Sequence, residues 1–170
     1  MIKKCAIIGL PGSGKSTFAM RLGKILDIPV HHLDVHMFDS NGQKVDKQKF
    51  LMALDKMLTH KKWIIEGCSI STLEMRFAKA DTIIYFRFSR LLCIGRLLKR
   101  VWIRDQALLS TGCANTVNWL LLKYIWNFKK EKESAIEALH KQYPHVNFLV
   151  FKTPKQSTQY ILSTTSLNIE

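Results

Sequence analysis

The chain has 170 residues, 47% apolar and 23% charged, enough for one domain with a real core, and no proline- or glycine-rich linker, internal repeat or low-complexity tract divides it. Its 26 basic and 13 acidic residues give a net charge of +13, which calls for an anionic partner or substrate, while the absence of a tail-like charge run disfavours a disordered nucleic-acid-binding arm. The apolar runs fall far short of a membrane span, and Cys5, Cys68, Cys93 and Cys113 are too scattered for a zinc site or a disulfide framework, so a soluble, unprocessed protein of the reducing cytoplasm is expected.

An apolar run at 2–8 predicts the first strand, and residues 9–16 then read Gly-Leu-Pro-Gly-Ser-Gly-Lys-Ser, a full match to G-x-x-x-x-G-K-[ST]. In such a loop Gly9, Gly12 and Gly14 let the backbone turn tightly and aim N–H groups at the α- and β-phosphates of a nucleotide. Pro11, Ser13 and Thr17 complete the candidate cradle. Lys15 is placed to reach the β- and γ-phosphates, and the Ser16 hydroxyl is placed for Mg²⁺. Segment 15–26, with Phe18, Leu22, Ile25 and Leu26 on one face, predicts the helix whose N-terminus favours anions.

The second strand, 30–33, runs into Asp34, a candidate catalytic carboxylate that would accept a proton from an acceptor hydroxyl, orient it, or hold a metal-bound water; its plain alternative is a turn or cap aspartate. His31, His32 and His36 lack the helical spacing of a zinc motif, and Asp39-Ser40-Asn41-Gly42 reads as a turn. A helix from an Asp46 N-cap to Leu58 follows, with Phe50, Leu51, Leu54, Met57 and Leu58 on its buried stripe. The third strand, 63–65, delivers Glu66, which either supports Mg²⁺ through water or is a solvated strand-end acid. Ser71 with Glu74 makes an S-x-x-E capping box for a helix ending near Ala80.

After a strand at 82–86, residues 89–143 show no strand pattern and must hold several helices. The first, from about Ser89, carries Arg90, Arg96, Lys99, Arg100 and Arg104, and no acid lies between Asp81 and Asp105. Arg96 and Arg100 share a face and Arg104 lies a turn on, suited to neutralising charge on a transferring phosphoryl group, so about 95–115 is expected to be a lid. A break at 110–112 precedes helices at 119–128 and 131–143, the former packing through Leu120, Tyr124 and Phe128 with a basic outer face. A last strand, 146–151, leads to Thr153-Pro154. The alternation predicts an α/β domain with a mainly parallel sheet, whose carboxyl rim should gather Asp34, Glu66, Arg87 and Thr153 beside the phosphate loop.

The loop, the His32-Leu33-Asp34 run, Trp63-Ile64-Ile65-x-Gly67, Leu73-x-x-Arg76 with Ala80-Asp81-Thr82-Ile83-Ile84, and Trp126-Asn127-Phe128-x-Lys130 together resemble the bacterial proteins labelled DNA topology modulation or FlaR-like proteins. These are similar to adenylate kinase and other small P-loop kinases. The resemblance implies a three-layer fold with a five-stranded parallel sheet in the order 2-3-1-4-5 and a helical lid after strand 4. It implies that Arg96-x-x-x-Arg100 enters that lid and that Thr153-Pro154 passes beside the adenine. Two departures stand out: Glu66 where relatives often carry Asp, and Arg87-Phe88-Ser89 where they carry an acid and a proline. The expectation is a cytoplasmic kinase that uses ATP and Mg²⁺ to phosphorylate a small acceptor, with a nucleotide or nucleoside favoured. A nucleic-acid-associated regulatory NTPase and a nucleotide-binding module without turnover are the alternatives.

Overall fold

The computed structural model describes residues 2–37, 43, 45–103 and 119–167. The turn expected at 39–42, the break at 110–112, Arg104 and much of the expected lid lie outside them. Five strands, β1 (Lys4–Gly9), β2 (Val30–His32), β3 (Trp63–Glu66), β4 (Thr82–Phe86) and β5 (Asn147–Phe151), form one parallel sheet in the order β2-β3-β1-β4-β5. That is the order the resemblance implied. The inner strands are apolar on both faces because helices cover both: Cys5, Ala6, Ile7, Ile64, Ile65, Ile83 and Ile84 are wholly buried.

The helices are α1 (Lys15–Leu26), α2 (Leu33–Met37), α3 (Lys47–Leu58), α4 (Leu73–Lys79), α5 (Arg90–Ile103), α6 (Trp119–Gln142) and α7 (Pro154–Leu167), with a 3₁₀ turn, Ile70–Thr72, before α4. Asp46 caps α3 as expected, its Oδ1 accepting the N–H groups of Gln48 and Lys49 at 2.8 and 3.3 Å. Asp81 closes the opposite end of the sheet from the phosphate loop. Its Oδ2 accepts from the N–H groups of Lys3 and Lys4 at 2.9 and 2.7 Å, and its Oδ1 from the Thr82 hydroxyl at 2.8 Å. Beneath the loop, Phe18 meets Phe86 and Phe151 edge-on at 5.1 and 5.6 Å, which ties α1 to β4 and β5.

Four expectations change. β2 stops at His32, because Leu33 already begins α2, so Asp34 sits in the first turn of a short helix. No capping box forms at Ser71: that residue lies inside the 3₁₀ turn with its hydroxyl 3.2 Å from that of Ser69, and Thr72 holds the N-cap position of α4. The two helices expected at 119–128 and 131–143 are one continuous α6, since nothing between Phe128 and Glu131 breaks a helix. Leu120 is 73% exposed and does not join the core, whereas Ile125, Phe128 and Ile136 do. Among the described residues no helix is long and apolar enough to cross a membrane.

Candidate active site

The β1–α1 loop is shaped by backbone that only glycine adopts freely. Gly12 has φ +79°, and a Cβ there would lie 2.4 Å from the Cys93 carbonyl oxygen and 2.8 Å from Leu97 Cγ, so this turn is pressed directly against α5. Gly14, at φ +90°, is the exposed lip: a Cβ would approach only Arg96 Nη1, at 3.6 Å. The N–H of Phe18 donates to Gly14 O at 3.0 Å, so the helix starts at the glycine and the loop's own amides stand at its N-terminus. Ser13 is 1% exposed, and its hydroxyl has no hydrogen-bond partner among the described residues.

Just inside the lip, the side chains converge on a carboxylate. Lys15 Nζ donates to Leu10 O at 3.2 Å and stands 3.4 Å from Glu66 Oε1. The Ser16 hydroxyl donates to Glu66 Oε2 at 3.1 Å, and His32 Nδ1 stands 3.0 Å from the same oxygen. Glu66 is 3% exposed, so the solvated strand-end reading fails. Burial acts to raise its pKa, but the Lys15 ammonium and the hydrogen bonds from His32 and Ser16 outweigh burial and hold the carboxyl below its usual range. Asp34 behaves oppositely. Partial burial and the Glu66 charge push its carboxyl up, and Lys15, His32 and Arg76 only moderate the rise. Two neighbouring carboxyls whose acidities diverge can divide the roles of charge holder and proton acceptor.

Arg76 is wholly buried. Its Nη1, Nη2 and Nε donate to the carbonyl oxygens of Gly67, Ser69 and Thr72 at 2.8, 2.7 and 3.4 Å, and burial pushes its pKa down to about 10. It is therefore the brace of the β3–α4 loop. Arg96 Nη1 donates to Ser13 O at 3.1 Å, with the guanidinium 5.8 Å from the Phe88 ring centroid, which brings this residue onto the phosphate loop. Arg100 lies four residues along the same face of α5, half-buried. Arg87 pairs instead with Glu133 and, at 3.9 Å, with Glu137, both on α6. Thr153 and Gln156 cap α7 reciprocally: the Thr153 hydroxyl accepts from Gln156 N–H at 3.4 Å and Gln156 Oε1 accepts from Thr153 N–H at 3.2 Å.

A hard cation with a nucleotide triphosphate suits this donor set, which offers a hydroxyl, a buried carboxylate held ionised, an ammonium and an open helix N-terminus, and no soft ligand. The orphaned Ser13 hydroxyl gives the cradle one more polar group for a ligand. The part of His32 was not legible beyond its place at the end of a strand expected beside β3, because the register that pairs it with Glu66 is set by the fold. Sequence reasoning also missed the Thr153-x-x-Gln156 box, a legible capping motif.

Comparison with solved structures identifies the fold. A shikimate kinase from Acinetobacter baumannii in complex with shikimate superposes with a TM-score of 0.62 at 12% identity, over 99% of this chain and 94% of that one. A shikimate kinase from Bacteroides thetaiotaomicron gives 0.57 at 14% identity over 100% of both chains. A gluconokinase from Sinorhizobium meliloti 1021 gives 0.56 at 13% identity over 98% and 91%. The chain thus has the P-loop kinase fold. No family model and no curated protein matches it.

Proposed function

We propose that this chain is a kinase that transfers the γ-phosphoryl group of ATP to a small acceptor, with a nucleotide or nucleoside favoured by the resemblance to topology-modulation proteins. The observation that carries the reading is the convergence of Lys15 and Ser16, both on the phosphate loop, upon the buried, ionised Glu66. Mg²⁺, held through Ser16 with Glu66 behind it, would offset phosphate charge and orient the triphosphate. The loop amides from Gly9 to Thr17 bind the phosphates, with Pro11 and Ser13 shaping the turn, and Lys15 leaves its internal partners to neutralise the β- and γ-oxygens. Asp34, with its raised proton affinity, takes the proton of the attacking hydroxyl. Arg96, already resting on Ser13, and Arg100 supply charge on the far side of the transferring group, with Arg104 a further candidate. Thr153 and Pro154 frame the base from the mouth of α7.

In this reading the chain is one cytoplasmic domain with a lid at about 95–115. Cys93 and Leu97 are packed on Gly12, so any closing motion hinges beyond Leu97. The net charge of +13 favours one rival reading, a DNA-associated regulatory NTPase. An ADP-release screen across nucleotides, nucleosides and small metabolites, with and without DNA, separates the two. The kinase reading predicts turnover that requires a small acceptor and ignores DNA. Stimulation by DNA with a steep salt dependence would replace it.

A further inference from the structure

We propose that His32 is a positioning residue that holds the Glu66 carboxylate in place once nucleotide and Mg²⁺ are bound; the inference rests on the function proposed above. Parallel register sets His32 of β2 directly beside Glu66 of β3, with their side chains on the same face of the sheet. The imidazole is 13% exposed and the carboxylate 3% exposed. An ionised carboxylate only accepts, so Nδ1 carries the hydrogen and donates across 3.0 Å to Oε2.

Among the described residues, Lys15, Ser16 and His32 grip Glu66, and they differ in what ligand binding does to them. Lys15 and Ser16 belong to the phosphate loop, and the triphosphate and its cation would draw both toward themselves. His32 stands on a strand outside that loop and has no such competing demand. When Ser16 turns away from Oε2, the hydrogen bond from His32 stays on that oxygen. It then fixes the carboxylate rotamer, leaves Oε1 and the second lone pair of Oε2 free to accept from cation-bound water, and removes the entropy cost of ordering Glu66 anew. Outer partners of this kind commonly change metal affinity about 10- to 100-fold when removed.

The test is calorimetric titration of the full chain with ADP, with Mg²⁺ and with chelator, for wild type, His32→Leu and His32→Asn. Leucine fills the volume and donates nothing, whereas the asparagine amide offers an N–H close to the Nδ1 position. The inference expects Mg²⁺-free ADP affinity to be unchanged in all three, and the Mg²⁺-dependent gain to fall about tenfold in His32→Leu and to recover most of its size in His32→Asn. A merely structural histidine would lower both affinities together, or would not be rescued by asparagine, and either result overturns the inference. An unchanged Mg²⁺ gain in His32→Leu overturns it as well. Should His32→Leu lose its folded circular-dichroism signal, His32→Ala is read against the same criteria. Wild type that binds ADP with no Mg²⁺ gain overturns both this inference and the proposed role of Glu66, whereas a wild-type gain that His32→Leu keeps overturns this inference alone, so the two failures are distinguishable.

Discussion

Two loops at the carboxyl rim of the sheet begin alike and end in opposite states. The β1–α1 loop turns at Gly9, φ +144°, and the β3–α4 loop turns at Gly67, φ +147°. After Gly67 the polypeptide folds back on a buried guanidinium, and the carbonyls of Gly67, Ser69 and Thr72 are all taken by Arg76. After Gly9 the chain instead presents the start of α1 at the exposed Gly14, with its cation Lys15 bound to the Leu10 carbonyl and beside the Glu66 carboxylate. The lesson is that a cation's partners decide its role. Arg76 is wholly buried and donates to three carbonyls of the loop it braces, while Lys15 and Arg96 stand on the phosphate loop itself, where a phosphate can outbid the carbonyls of Leu10 and Ser13.

The comparison breaks most sharply at Lys15. Lys15→Ala should lower phosphoryl transfer by about 10³-fold, roughly 4 kcal/mol of transition-state stabilisation, while the chain keeps its fold, at a lower thermal transition because the buried Glu66 loses its ammonium partner. Steady-state kinetics with melting curves would check both halves. Arg76→Met should act chiefly on stability. Three carbonyls lose their donors inside the protein, and unfolding free energy should fall by about 3 kcal/mol in urea titrations, with the ATP affinity of the folded fraction retained. Asp34→Asn sharpens the acceptor side of the rim: kcat should drop about 100-fold while ATP affinity holds, because the change removes a proton acceptor and leaves the phosphate cradle intact.

The smallest effect is a pH slope. The folded-state pKa of Glu66 lies below its ordinary 4.5, because Lys15, His32 and Ser16 overcome the effect of burial. Its contribution to stability is therefore fully present above that value and is lost as pH falls through the folded one. Asp34, raised from 3.8 chiefly by burial and the Glu66 charge, runs the other way: its contribution is present below that value and is lost as pH rises through the folded one. Glu66→Gln should flatten the acid loss of stability in urea titrations across the carboxylate range. A slope as steep as that of wild type would show that Glu66 is not held ionised by its three partners.

Much of this architecture is legible in the sequence because it is local. The glycine spacing of the loop, the Asp46 cap and the apolar runs of the inner strands each specify their own geometry. The misses are non-local. Ser71 and Glu74 have capping-box spacing, but the preceding loop is folded around Arg76, and that places Ser71 in a 3₁₀ turn. Leu120 has core spacing with Tyr124 and Phe128, yet which turn of α6 meets the sheet is decided by tertiary packing. Arg87 lies on the expected rim, and its pairing with Glu133 depends on where α6 passes. His32 is the instructive case, for the expected strand order sets β2 beside β3, and the register that pairs His32 with Glu66 is added by the fold.

The most direct test of the central claim is calorimetric titration of the folded wild-type chain with ATP, with and without Mg²⁺. The account predicts saturable binding at one site, tightened by Mg²⁺, with the Mg²⁺ gain abolished in Glu66→Ala. A folded protein that takes up no ATP, or whose Glu66→Ala variant keeps the full Mg²⁺ gain, would contradict it.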